Sequence, residues 1–353
     1  APSSGFLALC TSNLPSVDAI PSEHFNTVLY TGNQAANVAV TGVGFQPDLV
    51  WGKNRSSASN HWLFDSVRGI NKMLQADQAS EEETQSGVRA FNSFGFTLGT
   101  WIGSTKTNDS YVAWNWKAGG TASSNTNGSI TSSVSANPAA GFSIVSYTGN
   151  GTSGATVGHG LASAPTMFIV KRRITAGDQW AIYHQNTSGS PATTFMEFTT
   201  AAVQTATTRW NDTAPTSSLI TLGSHSSVNN NTDTFIAYAF HSVDGYSKVG
   251  SYTGNGSADG PFVHCGFRPK FVMARVSSAG GNWRMLDAVR SIDNPVGDTL
   301  YANNSIGEEV YDAYDFLSNG FKLKQTDGDV NGSGQTYIFI AFAESPFKHT
   351  NAR

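Results

Sequence analysis

VLYTGN at 28–33, VSYTGN at 145–150 and GSYTGN at 250–255 are near-copies of one string, and each copy opens a segment whose later landmarks keep the same order. A turn-and-proline step comes next: GFQPDLVWGK at 44–53, ASAPTMFIVK at 162–171 and GFRPKFVMAR at 266–275. A tryptophan comes after it in each segment (Trp62, Trp180, Trp283), and each closes on an aromatic run: YVAWNW at 111–116, FIAYAF at 235–240 and YIFIAF at 337–342. The tyrosines Tyr30, Tyr147 and Tyr252 recur at spacings of 117 and 105 residues. A fixed spacing signals a repeated structural unit, and one near 100 residues is long enough for each unit to hold its own core.

Within each unit the pattern has period two. FSIVSYTG (142–149) alternates apolar and polar residues, and TYIFIAFA (336–343) has the β-branched and aromatic content of a buried strand. Turn clusters such as TGNGTSG (148–154), TGNGSADG (253–260) and DGDVNGSG (327–334) separate the strands. Helical periodicity is weak, and the two best stretches are short: Gln75–Gly87 and Ser305–Tyr314. The expected fold is therefore all-β, three tandem antiparallel β-sandwich modules of the jelly-roll or lectin-like kind.

The expected boundaries are an extended strap at 1–23, module one at 24–118, a Gly/Ser/Asn-rich linker at 119–140, module two at 141–247, module three at 248–348 and a tail at 349–353. Within the linker, ITSSV (130–134) could also pair as an edge strand. The strap carries Phe6, Leu7 and Leu9 beside Cys10 and reads as an arm toward a neighbouring subunit or onto its own chain. Ala1 leads straight into APSSGFLALC with no signal-peptide pattern, so a processed or excised piece is expected. Cys10 and Cys265 have no metal-ligand spacing; buried free thiols and a disulfide both remain open.

Only 13% of residues are charged, the formal net charge is −4, and no Lys/Arg run occurs. Neither a nucleic-acid footprint nor a membrane-spanning segment is expected. Three constellations carry candidate chemistry. Asp65 and Arg68 in LFDSVRG, and Asp287 and Arg290 in MLDAVRS, read as structural ion pairs, since a carboxylate and a guanidinium three residues apart can pin a turn. Asp327, Asp329 and Asn331 resemble the first half of a calcium loop, but position twelve is Ile338, and a plain hairpin tip is the competing reading. No cofactor is otherwise expected. Trp51, Trp101 and Trp210 do not recur at matching positions, so they read as candidate sugar-stacking residues, while Trp62, Trp180 and Trp283 read as core pillars. No HExxH or GxSxG string is present, and no enzymatic activity is expected.

The succession YTGN, GFQPDLVWGKN, HWLFDSVRG, FNSFGFTLG and YVAWNWKAGG, repeated as SYTGNGSADGPFVHCGFRP, DFLSNGFKL and TYIFIAFAESPFK, resembles a particular family. It is similar to repeat-containing carboxy-terminal modules of tail and tail-fibre virion proteins of tailed bacteriophages, of uncharacterised function. The resemblance covers nearly the whole chain and implies a virion or extracellular location and a structural or adhesive role, with no catalytic residues to carry over. Expected partners are copies of the chain in a homo-oligomer such as a trimer, other virion proteins and a host-surface glycan. The alternative class is a secreted carbohydrate-binding protein or a carbohydrate-active enzyme with lectin-like domains.

Overall fold

The computed structural model describes residues 19–344. The strap residues Phe6, Leu7, Leu9 and Cys10 and the tail lie outside the described residues. The chain is all-β, and every strand ladder is antiparallel. Both expected helical stretches are extended instead: Glu83–Thr84 and Glu309–Leu317 are strands. The acidic run that suggested a helix start is drawn out by ion pairs, since Glu82 binds both Arg68 and Arg173. Helix is confined to single turns, such as Ile102–Thr105 and Ser226–Asn229. No helix among the described residues is long and apolar enough to cross a membrane.

The repeated strings build the same four-stranded sheet three times. An opening strand (Phe25–Thr31, Phe142–Thr148, Ser247–Thr253) pairs with the closing strand (Ser110–Trp116, Thr234–Phe240, Thr336–Ala343). The closing strand pairs in turn with a third strand (Leu49–Asn54, Met167–Arg172, Pro269–Val276), which pairs with a fourth (Trp62–Asp65, Ala181–His184, Arg284–Asp287). The YTGN tyrosines lie at one register position, opposite Tyr111, Phe235 and Tyr337. Their rings stack there at 5.0, 5.2 and 4.8 Å. Each hydroxyl donates to a backbone carbonyl of the loop before the closing strand: Ser104, Val228 and Val330. With its hydroxyl bonded, a large aromatic can be buried without an orphaned polar group.

Because side chains alternate along a strand, each sheet has two apolar faces. One face packs under the unit's own loops and small sheets, giving three separate clusters, around Phe64 and Phe96, Phe168 and Trp210, and Phe321 and Phe339. The other faces meet in a fourth, common cluster to which all three units contribute, with Leu49, Met167 and Phe271 at one equivalent position and Trp116, Phe240 and Phe342 at another. At its centre is a cavity of about 20 Å3 with no polar lining surface. It is large enough for one water but offers no partner, so it should stay dry. Each fully buried Leu, Ile, Met or Phe contributes about 1.5–3 kcal/mol, and in this cluster that gain exists only when the three sheets are together.

Residues 119–140 are not a linker. Ser123–Asn125 and Ser132–Asn137 are strands that extend the second sheet beyond its opening strand. Ser, Thr and Asn give this stretch a flexible composition, yet their hydroxyls serve as ladder and loop partners: Ser135 Oγ donates to Gly120 O and Ser132 Oγ to Gly158 O.

Candidate functional site

Two features are candidates for function: the polar contacts where the units meet, and a groove on the second unit. The first absorbs most of the chemistry expected from the sequence. Asp65 and Asp287 are fully buried, each with an oxygen 2.5–2.6 Å from the arginine three residues on. Their other carboxylate oxygens accept the backbone N–H groups of Arg68 and Arg290. Each aspartate also takes a donor from a different unit: Tyr238 Oη donates to Asp65 at 2.8 Å and Trp114 Nε1 to Asp287 at 3.1 Å. The arginines extend the chain through Glu82 to Arg173 and through Glu308 to Arg55, again between units.

Trp114, Tyr238 and Ile340 are one repeat position, and Asp65, His184 and Asp287 are another. Ile340 has nothing to donate, and the position that would face it holds His184 rather than an aspartate. His184 Nε2 instead lies 3.3 Å from Phe339 O. A buried aspartate with no donor would be costly, whereas a neutral imidazole with one carbonyl partner is not. The absence of a DxxR string from the second unit is explained by Ile340 in the third.

A second set of contacts runs round the same ring. Trp180 Nε1 donates to Gln75 O, Trp283 Nε1 to Glu197 O, and His61 Nε2 faces Tyr301 O at 2.8 Å. Each thus bonds the backbone of a different unit. His61, not Trp62, is therefore the counterpart of Trp180 and Trp283, which corrects the reading of three equivalent tryptophans by one residue. Trp51 Nε1 donates to His61 Nδ1, which fixes the neutral ring with its proton on Nε2. Burial and the nearby Lys53 hold the His61 pKa well below the ordinary imidazole value. Lys53, Lys171 and Arg275 are likewise one repeat position, all fully buried. Burial lowers Lys53 and Lys171 to about 8 and Arg275 to about 10. Backbone carbonyls receive them: Asn54 and Ser305 for Lys53, Asp178 for Lys171, Glu197 and Ala201 for Arg275.

Two of the three expected sugar-stacking tryptophans are buried. Trp51 and Trp210 are 4% and 0% exposed, with Trp51 in the common cluster and Trp210 against Phe168 and Tyr183. Trp101 is half-buried and packs on the first unit's own core.

The 327–331 loop is drawn apart by its own bonds. Asn331 accepts from Asn255 N and donates to Ser257 O and Gln325 O, closing the YTGN turn as Asn229 does in the second unit. Asp327 caps Asp329 N, while Asp329 points to Asn282 and Arg284. No cluster of three or more His, Cys, Asp or Glu suited to a metal ion occurs among the described residues. Cys265 is buried, its thiol pushed up to about 12 by burial.

The groove has no counterpart among the expectations from sequence. Ser124, Ser133 and Ser146 lie opposite one another across three strands. With Thr131, Thr148 and Thr234 they line an open groove of about 350 Å3. Its one titratable residue, Tyr147, is committed to Val228 O and held well above the usual phenol pKa by burial. The lining offers hydroxyl donors and acceptors without acid–base chemistry, which suits a neutral polar ligand. The signal lies in the SSN and TSSV strings themselves, whose alternation is hidden by linker-like composition.

One family matches nearly the entire described chain: residues 20–346 align with a domain of unknown function, DUF7483. The protein belongs to that family, and the match spans all three units as one domain. No curated protein matches the sequence.

Proposed function

We propose that the chain is a non-enzymatic virion structural and adhesion protein of the tail or tail-fibre kind, built of three antiparallel β-sandwich modules of jelly-roll or lectin-like type. The observation that carries this reading is the placement of the polar groups. The recurring aspartates are held in buried pairs that also take a donor from another unit, while one open groove on the second unit is lined by serine and threonine hydroxyls. A rigid body with a neutral, hydroxyl-rich surface suits a surface glycan better than a charged partner. Shallow sites of this kind gain strength when several act together, which favours a homo-oligomer such as a trimer in the particle.

Binding of the intact protein to a panel of immobilised glycans tests the reading, with Ser133→Leu and Ser146→Leu to fill the groove. Retention of a neutral glycan that both variants abolish, with melting temperature preserved, is expected. Release of cleaved sugar would favour the alternative, a carbohydrate-active enzyme. Binding unaffected by either variant would remove the groove from the proposal.

A further inference from the structure

The hydroxyl-lined groove of the second unit does not stop at the edge of its sheet. Thr234, Thr148, Ser133 and Ser124 stand on four successive strands, Thr234–Phe240, Phe142–Thr148, Ser132–Asn137 and Ser123–Asn125. Ser124, on the outermost of them, also lines a second open groove of about 230 Å3, walled by Gly119, Thr121, Ser135, Ala136 and Gly160. The first limb crosses the sheet over three strand spacings of about 4.8 Å each, roughly 14 Å. The second runs back along the edge from Ser124 to Thr121, roughly 10 Å at about 3.3 Å per residue. The two limbs meet at Ser124 and make one bent track.

The bend is fixed before any ligand arrives. Ser135 Oγ accepts from Gly119 N and donates to Gly120 O, and Asn125 Oδ1 accepts from Asn127 N. A Cβ on Gly158 would stand 2.0 Å from Asn125 Oδ1, so the glycine is what lets Asn125 lie there. Walls ordered in advance spare a ligand the cost of ordering them. The hydroxyls of the track fall into two sets. Those of Ser132, Ser135 and Ser146 donate to backbone carbonyls, whereas those of Thr121, Ser123, Ser124 and Ser133 are exposed and make no hydrogen bond among the described residues. No charged side chain lines either limb among the described residues. A free hydroxyl both donates and accepts, so a succession of them matches a ligand that repeats hydroxyls along its length. We propose, resting on the reading of the first groove as a glycan site, that its ligand is a linear neutral oligosaccharide that follows both limbs and bends over Ser124. One end lies beside Thr234 and the other beside Thr121, and a single sugar ring reaches only one limb. The edge strand itself is three residues long, Ser123–Asn125, and so short an edge disfavours an added peptide strand.

Calorimetric titration of the intact protein with glucose, mannose and N-acetylglucosamine ladders, each from the monosaccharide to the hexasaccharide, tests the length of the site. For a sugar that binds, Kd is expected to fall by more than about ten-fold, or ~1.4 kcal/mol, from the monosaccharide to the tetrasaccharide and to level off beyond it. Thr121→Leu combined with Ser123→Leu fills the edge limb alone. It should cancel most of that gain while the monosaccharide Kd and the melting temperature stay as in the parent. Equal affinity at every length, or a gain that survives in the double variant, overturns the inference and leaves the glycan reading standing. Failure of every ladder to bind at any length overturns the glycan reading and the inference with it.

Discussion

Position 65 of the first unit can be an aspartate because position 238 of the second carries a hydroxyl, and position 287 can be one because Trp114 carries an indole N–H. These pairs should behave as coupled. In a double-mutant cycle, Tyr238→Phe and Asp65→Asn are expected to be non-additive by about 0.5–3 kcal/mol in unfolding free energy. Additive effects would show that the aspartate serves its own turn alone. Asp287→Asn takes from Arg290, whose side chain is fully buried, the nearer of its two carboxylate partners and leaves it Glu308. It should therefore cost less than the roughly 3–5 kcal/mol of an uncompensated buried charge, visible as a lowered melting temperature with glycan binding unchanged below it. The ion pairs themselves are legible in the DxxR strings. Their partners are not, because they lie 173 residues away in sequence.

His184 adds a pH dependence at the third junction. Burial lowers it from 6.5 to about 4. The unfolded chain therefore binds a proton between those values that the folded chain refuses, and stability falls as pH drops from about 6.5 toward 4. Melting temperature measured from pH 7 to pH 5 should decline in the parent and decline less in His184→Gln. Parallel curves would assign the acid sensitivity elsewhere.

At the scale of the strand, Trp62 and Gly52 are a matched pair. They sit opposite each other where the second unit has Ala181 and Val170 and the third has Arg284 and Ala274. A Cβ on Gly52 would lie 1.9 Å from the Trp62 ring. Gly52→Val should therefore destabilise by more than the roughly 1–3 kcal/mol typical of overpacking, and Trp62→Ala added to it should recover part of the loss. Chemical denaturation of the three variants checks this; no recovery would mean that the swap is not what separates the units. Strand type and order are readable because turn, proline and aromatic landmarks recur at nearly fixed spacing. The one-residue offset of Trp62 is not, since a strand's face flips with every residue and the landmark alone cannot say which face it is on. The 119–140 strands are legible only in part: ITSSV (130–134) reads as a possible edge strand, but serine and threonine are as ordinary in linkers as in edge strands.

For the molecule as a whole, the expectation of three units each with its own core is half of what the structure holds. Three clusters are private, but the fourth is made by all three sheets, and donors pass round the ring from each unit to another. Sequence periodicity cannot reveal this. A strand buried on both faces has the same apolar content whether its second face meets its own unit or a neighbour. No unit should therefore be stable without the others, and the chain should behave as one body despite its length. Scanning calorimetry of the intact chain separates a shared core from three independent ones. One transition is expected, with van't Hoff and calorimetric enthalpies equal. Three separable transitions, or a van't Hoff enthalpy well below the calorimetric one, would contradict a core shared by all three units.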